Sequence, residues 1–269
     1  VPAVRIHVVG AAGMLGQDVV RAAGAEAVPL TRADLDVTDA DAVRAALRGA
    51  RVINCAAYTD VGGAESDPEA AHAVNARGAQ NVAEAAARVV YVSTDYVFDG
   101  SKSSPYVESD PVNPLSAYGR SKLAGERATL TAGPHSLVVR TSWLFGPGGG
   151  NFVETMLRAA EERDTLRVVD DQVGAPTFTG HLADVLVALT TAGRHGFLHV
   201  AGSGSCSWHE FARAIFECAG VDVQVRPCTT EEFPRPARRP ANSVLRSERD
   251  APELPAWQEG LDAYLGVRA

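Results

Sequence analysis

A glycine-rich turn near the start of the chain constrains the fold more than any other feature. Residues 5–9 have the composition of a short buried strand, and Gly10, Gly13 and Gly16 follow at intervals of three. An apolar helical pattern continues from there. Glycines between a strand and a helix let the backbone approach a pyrophosphate, whose negative charge then faces the helix N-terminus. The turn therefore predicts an α/β fold of the Rossmann type, a doubly wound parallel sheet that binds a dinucleotide.

The end of the second predicted strand, residues 25–30, bears on the choice of dinucleotide. Sites that prefer NAD often place an acidic residue here, where it bonds the adenosine ribose. This chain has Arg32 instead, which could meet a 2′-phosphate. NADPH is therefore the predicted cofactor, with NADH possible, and Asp36 and Val37 could border the adenine. The alternative, that Arg32 is a solvated loop charge, stays open.

A second stretch carries candidate acid–base chemistry. Thr94 follows the apolar strand at residues 89–92, and Tyr118 and Lys122 are four residues apart, so a helix puts them on one face. An unperturbed tyrosine has a pKa of about 10, and a neighbouring ammonium group lowers it. Lysine is rare in this chain, because the only other one is Lys102. We therefore predict that Tyr118 and Lys122 exchange a proton with a substrate oxygen that Thr94 also bonds; an ordinary exposed helix pair is the alternative.

The composition of the chain argues against several classes of binding partner. The net charge of −8 argues against a nucleic-acid or anionic-membrane surface. No apolar run approaches the roughly 20 residues of a membrane span, and the chain opens on a strand rather than a signal peptide. The four cysteines show no metal-like pairing, which predicts no metal site and suits a reducing cytoplasm.

The composition changes after Phe145, where a glycine-rich segment breaks the sheet pattern. We predict a dinucleotide-binding domain over residues 1–145 and a smaller substrate-binding domain over 146–269, with residues 176–200 returning to the sheet. A stiff, proline-rich segment near the C-terminus contains Arg235 and Arg239. Arginine binds phosphate through a fork of donors, so these two are candidates for a diphosphate contact, with a solvated surface loop as the alternative.

The order of these motifs resembles the extended short-chain dehydrogenase/reductase family over nearly the whole chain. The resemblance rests on residues 10–16, 54–59, 93–99 and 118–126. Three further stretches, 93–98, 140–143 and 170–177, resemble the members that act on dTDP-4-dehydro-L-rhamnose. The resemblance implies NADPH-dependent reduction of the C4 ketone of that sugar to dTDP-L-rhamnose, in a monomer or weak dimer. Two alternatives stay open: a 4-ketoreductase for another dTDP-4-keto-6-deoxy sugar, and a non-catalytic nucleotide-binding subunit.

The residue patterns and the resemblance together imply roles for individual residues. Residues that would line the cofactor are Gly10, Gly13, Met14, Leu15, Gly16, Arg32, Asp36, Val37, Ala57, Tyr58, Thr59, Tyr118 and Lys122. Residues that would contact the dTDP-sugar are Thr94, Asp95, Trp143, Arg235 and Arg239. An indole face at Trp143 could cover the apolar C–H groups of the sugar, although a core tryptophan is the alternative.

The chain departs from the family in two places. Some relatives pair through a divalent ion held by glutamates, and Asp18 and Gly180 stand at the matching positions here. Gly62 and Gly63 lie where relatives usually carry an acidic residue. The predicted helix that ends near Ala87 also runs into the next strand with almost no linker, which indicates either a very tight turn or a few absent residues.

Overall fold

A six-stranded parallel sheet lies at the centre of the computed structural model, which describes residues 5–268. The strands in chain order are β1 (Ile6–Val9), β2 (Ala27–Leu30), β3 (Arg51–Asn54), β4 (Arg88–Thr94), β5 (Leu137–Thr141), β6 (Leu144–Phe145), β7 (Thr165–Val169), β8 (Val173–Gly174), β9 (Thr177–Phe178), β10 (Gly196–His199), β11 (Cys206–Ser207) and β12 (Gln224–Cys228). The α-helices are α1 (Met14–Ala23), α2 (Ala40–Leu47), α3 (Gly63–Ser66), α4 (Pro68–His72), α5 (Ala79–Ala85), α6 (Ala117–Ala132), α7 (Phe152–Glu162), α8 (Thr179–Leu189), α9 (Trp208–Ala219) and α10 (Trp257–Arg268).

The strands of the central sheet follow the order β10-β5-β4-β3-β1-β2, and every pairing is parallel. The strand order reverses at β1, so a crevice opens between the ends of β1 and β3, where sheets of this kind bind ligands. Helices cover both faces of the sheet. Side chains of α1 and α8 complete one apolar core, and side chains of α2 and α5 complete the other. The predicted doubly wound α/β fold is confirmed.

The helix predicted to end near Ala87 is observed over residues 68–85, with an irregular centre. Asp67 caps α4 by accepting a hydrogen bond from the Ala70 N–H, and Pro68 occupies the first turn. A π-helical segment, Ala73–Gly78, then joins α4 to α5. Only two residues link α5 to β4, and the Ala87 N–H of this link donates to the Ala50 carbonyl at 2.9 Å. In this structure the short connection is a tight turn.

A third apolar core lies in the C-terminal half of the chain. It is built mainly from α7, α9 and α10, with side chains of β7 beneath them. The strand β10 leaves this region and pairs with β5 at the edge of the central sheet. The division into two domains near residue 145 remains a prediction. Within residues 5–268, no helix has both the length and the apolar character that crossing a bilayer requires.

The second predicted strand is shorter than expected. Gly24–Glu26 forms a 3-10 helix, so β2 begins at Ala27 rather than at residue 25. The strand β3 is also short and ends at Asn54, whose side chain accepts a hydrogen bond from the Ala56 N–H. Short polar side chains compete in this way with the ladder of a sheet.

Candidate functional site

The turn after β1 forms a cradle in which Gly10 and Gly16 leave no room for a side chain. A Cβ atom on Gly10 would lie 2.6 Å from the Ala56 nitrogen, and the φ of Gly10 is +80°. A Cβ atom on Gly16 would lie 2.2 Å from the Gly10 carbonyl oxygen. Gly13 is the N-cap of α1 and offers no side chain to cover the free N–H groups there. These residues fit a pyrophosphate, because the helix N-terminus presents unpaired donors and a positive dipole end.

A cavity of about 270 Å³ beside this turn corresponds to the predicted adenosine site. Its lining residues are Gly10, Ala12, Gly13, Arg32, Leu35, Asp36, Val37, Cys55, Ala56, Ala57, Tyr58 and Val74. Hydrogen bonds from Thr38 lower the pKa of Asp36, and the charge of Arg32 lowers it further. Arg32 and Asp36 therefore face the same cavity, with the arginine near enough to stabilise the carboxylate.

A larger cleft of about 520 Å³ meets the first cavity at Gly13, Cys55 and Ala57. It brings together the residues predicted for proton transfer and most of those predicted for the sugar. The cleft is lined by Gly13, Met14, Leu15, Gly16, Cys55, Ala57, Thr59, Val61, Val92, Ser93, Thr94, Asp95, Tyr118, Lys122, Thr141, Ser142, Trp143, Leu144, Gly149 and Gly150.

Tyr118 and Lys122 both lie on α6, as their spacing predicts, but the lysine does not depress the tyrosine's pKa here. Burial raises the pKa of Tyr118 above its ordinary value, and a hydrogen bond with Thr94 offsets only part of that effect. The Lys122 Nζ instead donates to the Val92 carbonyl at 2.7 Å and lies 4.2 Å from the centre of the Tyr91 ring. The direct effect of Lys122 on the phenol therefore stays a prediction. Tyr118 is a protonated acid at neutral pH.

Burial also controls the charge of Lys122 itself. Only 2% of the residue is exposed, and desolvation lowers the pKa of its ammonium group to about 7. The negative charge of Glu126, one turn further along α6, opposes this shift. Lys122 therefore titrates near neutrality, where a small change in its surroundings alters its charge.

Thr94 ends β4 and presents its hydroxyl group at the cleft. The Thr94 Oγ1 donates to the Asp95 carboxylate at 3.0 Å and accepts a hydrogen bond from the Tyr96 N–H at 3.2 Å. Asp95 is buried, and desolvation raises its pKa to about 7, although hydrogen bonds with Ser243 and Thr94 favour the charged form. Ser243 belongs to the C-terminal part of the chain, so the two halves meet at this carboxylate.

The structure does not leave an open indole face at Trp143. The Trp208 ring stacks on it with the ring centroids 3.4 Å apart and the planes at 5°. A Cβ atom on Gly174 would lie 2.3 Å from Cε2 of Trp143 and 2.6 Å from both Cζ2 and Nε1, which places Gly174 over the other face. The expected stacking of the indole on a sugar does not fit this arrangement. Trp143 can offer the cleft its edge and its N–H.

Trp143 also has a φ of +46°, an uncommon value for a residue other than glycine. Neighbouring bonds hold the segment in this conformation. The Ser142 Oγ donates to the Ala175 carbonyl at 2.6 Å, and the Thr177 N–H donates to the Trp143 carbonyl at 3.2 Å. Strained backbone of this kind persists only where the surroundings over-determine it, and it is frequent at functional sites.

The two predicted phosphate-binding arginines differ in position, and neither lines the cleft. Arg235 is exposed and lies over the Phe233 ring at 4.7 Å. Arg239 is partly buried, and its Nε has no hydrogen-bond partner among the described residues. Burial raises the pKa of Tyr96 to about 12, and the charge of Arg239 opposes this shift. Because the Tyr96 ring lies 6.1 Å from that of Tyr118, Arg239 acts on a residue beside the cleft.

Two polar residues near the cleft were missed by the sequence reasoning. Asn75, in the π-helical segment, accepts a hydrogen bond from the Tyr58 N–H at 2.8 Å and donates to the Tyr58 carbonyl at 3.1 Å. Its amide also donates to the Ser121 hydroxyl at 2.9 Å, on the helix that carries Tyr118. A π-helical turn often marks a functional region, but the sequence offers no signal for one.

Cys55 lines both cavities, and burial raises the pKa of its thiol to about 12.

The positions where some relatives hold a divalent ion form no metal site in the part of the chain that the structure describes. No group of three or more histidine, cysteine, aspartate or glutamate residues converges there. The Asp18 carboxylate is buried and pairs with Arg21 on the same helix. A side chain at Gly180 would meet the Phe178 ring.

Comparison with known proteins points to one family. A family model described as the RmlD substrate binding domain matches residues 4–268. The dTDP-4-dehydrorhamnose reductase of Mycolicibacterium smegmatis is 46% identical, over 99% of this chain and 87% of that protein. A probable dTDP-4,6-dihydroxy-2-methyloxan-3-one 4-ketoreductase of Streptomyces antibioticus is 46% identical, over 90% of this chain and 86% of that protein. The crystal structure of dTDP-4-dehydrorhamnose reductase from Bacillus anthracis in complex with NADP has a TM-score of 0.94 and 38% identity, over 98% and 99% of the two chains.

Proposed function

Because the chain belongs to the RmlD substrate binding domain family, we propose that it reduces the C4 ketone of dTDP-4-dehydro-L-rhamnose with NADPH and releases dTDP-L-rhamnose. One observation carries this proposal. A glycine cradle that fits a pyrophosphate opens into the same cleft as Tyr118, Lys122 and Thr94. A dinucleotide in the cradle would therefore extend toward a proton donor and a second hydroxyl donor.

The proton chemistry follows from the burial of Tyr118. Bound NADPH would supply the hydride, and the oxygen at C4 of the sugar would then need a proton. Burial keeps Tyr118 in its phenol form, so it is ready to donate. Thr94 would bond the same oxygen, and a positioned donor is most effective where negative charge develops. Lys122, in its charged form, would hold the nicotinamide ribose and favour the phenolate that remains.

Arg239 is the better candidate for the diphosphate of the substrate. Its Nε is buried without a partner among the described residues, which is costly unless a ligand completes the site. Arg235 stacks on Phe233 in solvent and would have to move to take part. Near the adenosine cavity, Arg32 remains the candidate for the 2′-phosphate of NADPH.

A second candidate keeps the chemistry and changes the sugar. The Streptomyces antibioticus relative bears the name of a 4-ketoreductase for a different dTDP-linked ketone, at the same 46% identity. The groups that would move protons can be identical in both reactions, so the two candidates differ in sugar contacts alone. A non-catalytic subunit has less support, because Tyr118, Lys122 and Thr94 are all present in one cleft. A cytoplasmic location and a monomer or weak dimer stay predictions.

The test is a panel of dTDP-4-keto-6-deoxy sugars mixed with the purified protein and NADPH. Loss of NADPH absorbance would report turnover, and NMR would give the configuration at C4 of each product. We expect dTDP-4-dehydro-L-rhamnose to have the highest kcat/KM, and Tyr118→Phe to serve as the inactive control. A higher kcat/KM with another sugar would select the second candidate. NADPH binding with no turnover of any sugar would favour the non-catalytic subunit.

A further inference from the structure

A buried ion pair lies directly behind the cleft. Arg140 of β5 holds the Glu126 carboxylate of α6 with two hydrogen bonds, from Nε to Oε1 and from a terminal nitrogen to Oε2, both 2.8 Å long. Glu126 is 0% exposed and Arg140 is 2% exposed. Breaking such a pair is costly, but replacing the whole pair by apolar side chains is often neutral or stabilising. Stability alone is therefore a weak reason for placing these charges here.

The rest of the network keeps Arg140 aimed at the carboxylate. Its second terminal nitrogen lies 3.4 Å from Nε2 of His199, and the guanidinium group lies 4.5 Å from the centre of the Phe197 ring. The His199 Nδ1 faces two backbone carbonyl oxygens at 3.1 and 3.2 Å, so it carries the ring proton and leaves Nε2 to accept from Arg140. Burial lowers the pKa of His199, which keeps the ring neutral.

The Glu126 carboxylate is connected to both sides of the cleft. The Ser93 hydroxyl donates to its Oε1 at 2.6 Å. Ser93 stands between Val92, whose carbonyl accepts from the Lys122 ammonium, and Thr94, whose hydroxyl faces the cleft. The carboxylate thus ties the end of β4 to α6 at the level of the proposed proton donor.

Glu126 is also the negative charge that acts on Lys122. The other ionisable groups near the ammonium are Cys55 after β3 and Tyr91 of β4, and Tyr118 of α6 lines the same cleft. Burial raises the pKa of all three, so they are neutral near pH 7. The bidentate pairing with Arg140 identifies Glu126 as an ionised carboxylate.

We propose that Glu126 is a positioning residue: through Ser93 it holds the end of β4, and its negative charge, one turn along α6 from Lys122, favours the ammonium form of that lysine. This inference rests on the proposed function, because it gives Lys122 the role of holding the cofactor. It adds that a side chain which touches neither cofactor nor substrate sets the pH range in which the site works.

Glu126→Gln removes the negative charge of the side chain and retains most of its shape, so it tests the role of the charge. Charged Lys122 binds the ribose best, so the affinity of the parent protein for NADPH should weaken as pH rises through the lysine's pKa. A nearby opposite charge typically shifts a pKa by roughly 1–3 units. In Glu126→Gln we therefore expect the midpoint of this weakening to move about one pH unit lower, with the alkaline limb of kcat/KM moving with it. NADPH affinity is measured by fluorescence titration from about pH 5 to about pH 9.

Thr129→Val is the matched control. Thr129 lies three residues from Glu126 on the same helix, is 0% exposed, and its hydroxyl has no partner among the described residues. This variant should keep the parental midpoint. A merely structural role for Glu126 would weaken binding equally at every pH, and an unchanged midpoint in folded Glu126→Gln would overturn the proposal.

Ser93→Ala tests the positioning role of Glu126 if Glu126→Gln does not fold. It removes the hydrogen bond to β4 and leaves the Glu126–Arg140 pair intact. We expect a lower kcat, by up to ~10²-fold if the end of β4 shifts by about 1 Å, with a parental midpoint for NADPH binding. A parental kcat would then refute the positioning role. Because the NADPH titration needs no sugar, a wrong proposed substrate would abolish turnover and leave the pH shift measurable.

Discussion

Replacing Gly174 with alanine should force Trp143 out of its position beside the cleft. The added Cβ would approach Cε2 of Trp143 to 2.3 Å, whereas ordinary contact begins at 3.4 Å. The shortfall, 3.4 minus 2.3, is about 1.1 Å. The indole cannot retreat by that distance, because Trp208 already stacks against its other face at a centroid separation of 3.4 Å.

The expected cost follows from this lack of space. Overpacking a well-filled core typically costs about 1–3 kcal/mol, and a ring enclosed on both faces belongs at the upper end of that range. We therefore expect Gly174→Ala to lower the free energy of unfolding by about 2–3 kcal/mol, as measured by urea denaturation. The displaced indole edge should also raise KM for the sugar and leave the affinity for NADPH unchanged.

A double-mutant cycle separates this clash from a general effect on the fold. Trp208→Leu is destabilising by itself, but it removes the ring that blocks the retreat of Trp143. In that background the penalty of Gly174→Ala should shrink by at least about 1 kcal/mol, within the range measured for residues in contact. Gly266→Ala is the control, since a Cβ there meets nothing within 4 Å, and an alanine inside α10 should be neutral or stabilising. Additive effects of Gly174→Ala and Trp208→Leu would refute the enclosed-ring argument.

Four further variants test the site. Tyr118→Phe should keep NADPH binding and lower kcat by ~10²–10⁴-fold, and Thr94→Val should lower kcat less. Turnover assays measure both losses. Parental activity in Tyr118→Phe would show that another group donates the proton. Arg32→Ala should weaken NADPH more than NADH in binding titrations, and equal losses would remove Arg32 from cofactor selection. The pKa of Asp95 is raised from 3.8 to about 7, so the folded protein binds the proton more tightly and becomes less stable as pH rises through that window. Asp95→Asn should lack this decline in urea denaturation, and a parallel decline in both proteins would contradict it.

Local signals made much of the fold predictable. The helices over residues 152–162 and 208–219 are examples. Asn151 caps the first, and the Ser207–Glu210 capping box starts the second, so both ends are set by residues within a few positions of the helix. The glycine turn could be predicted from the sequence for the same reason.

The surroundings of the site could not be predicted from the sequence in this way. Trp143 is enclosed by Gly174 and Trp208, which are distant in the chain, so no local pattern shows that both ring faces are covered. The low pKa of Lys122 comes from burial, which only the packed fold determines. Spacing along a helix placed Tyr118 and Lys122 on one face, but it could not show that the ammonium bonds a carbonyl of β4 instead of the phenol.

The cleft is made of two parts with different origins in the chain. Its floor consists of Thr94, Tyr118 and Lys122, which lie on β4 and α6 within the central sheet and its covering helices. One of its walls is Trp143, whose ring rests on Trp208 from the third apolar core. Substitutions in that core can reshape the wall while the floor keeps its hydrogen bonds. The shape of the cleft and the groups proposed for its chemistry can therefore change independently of each other.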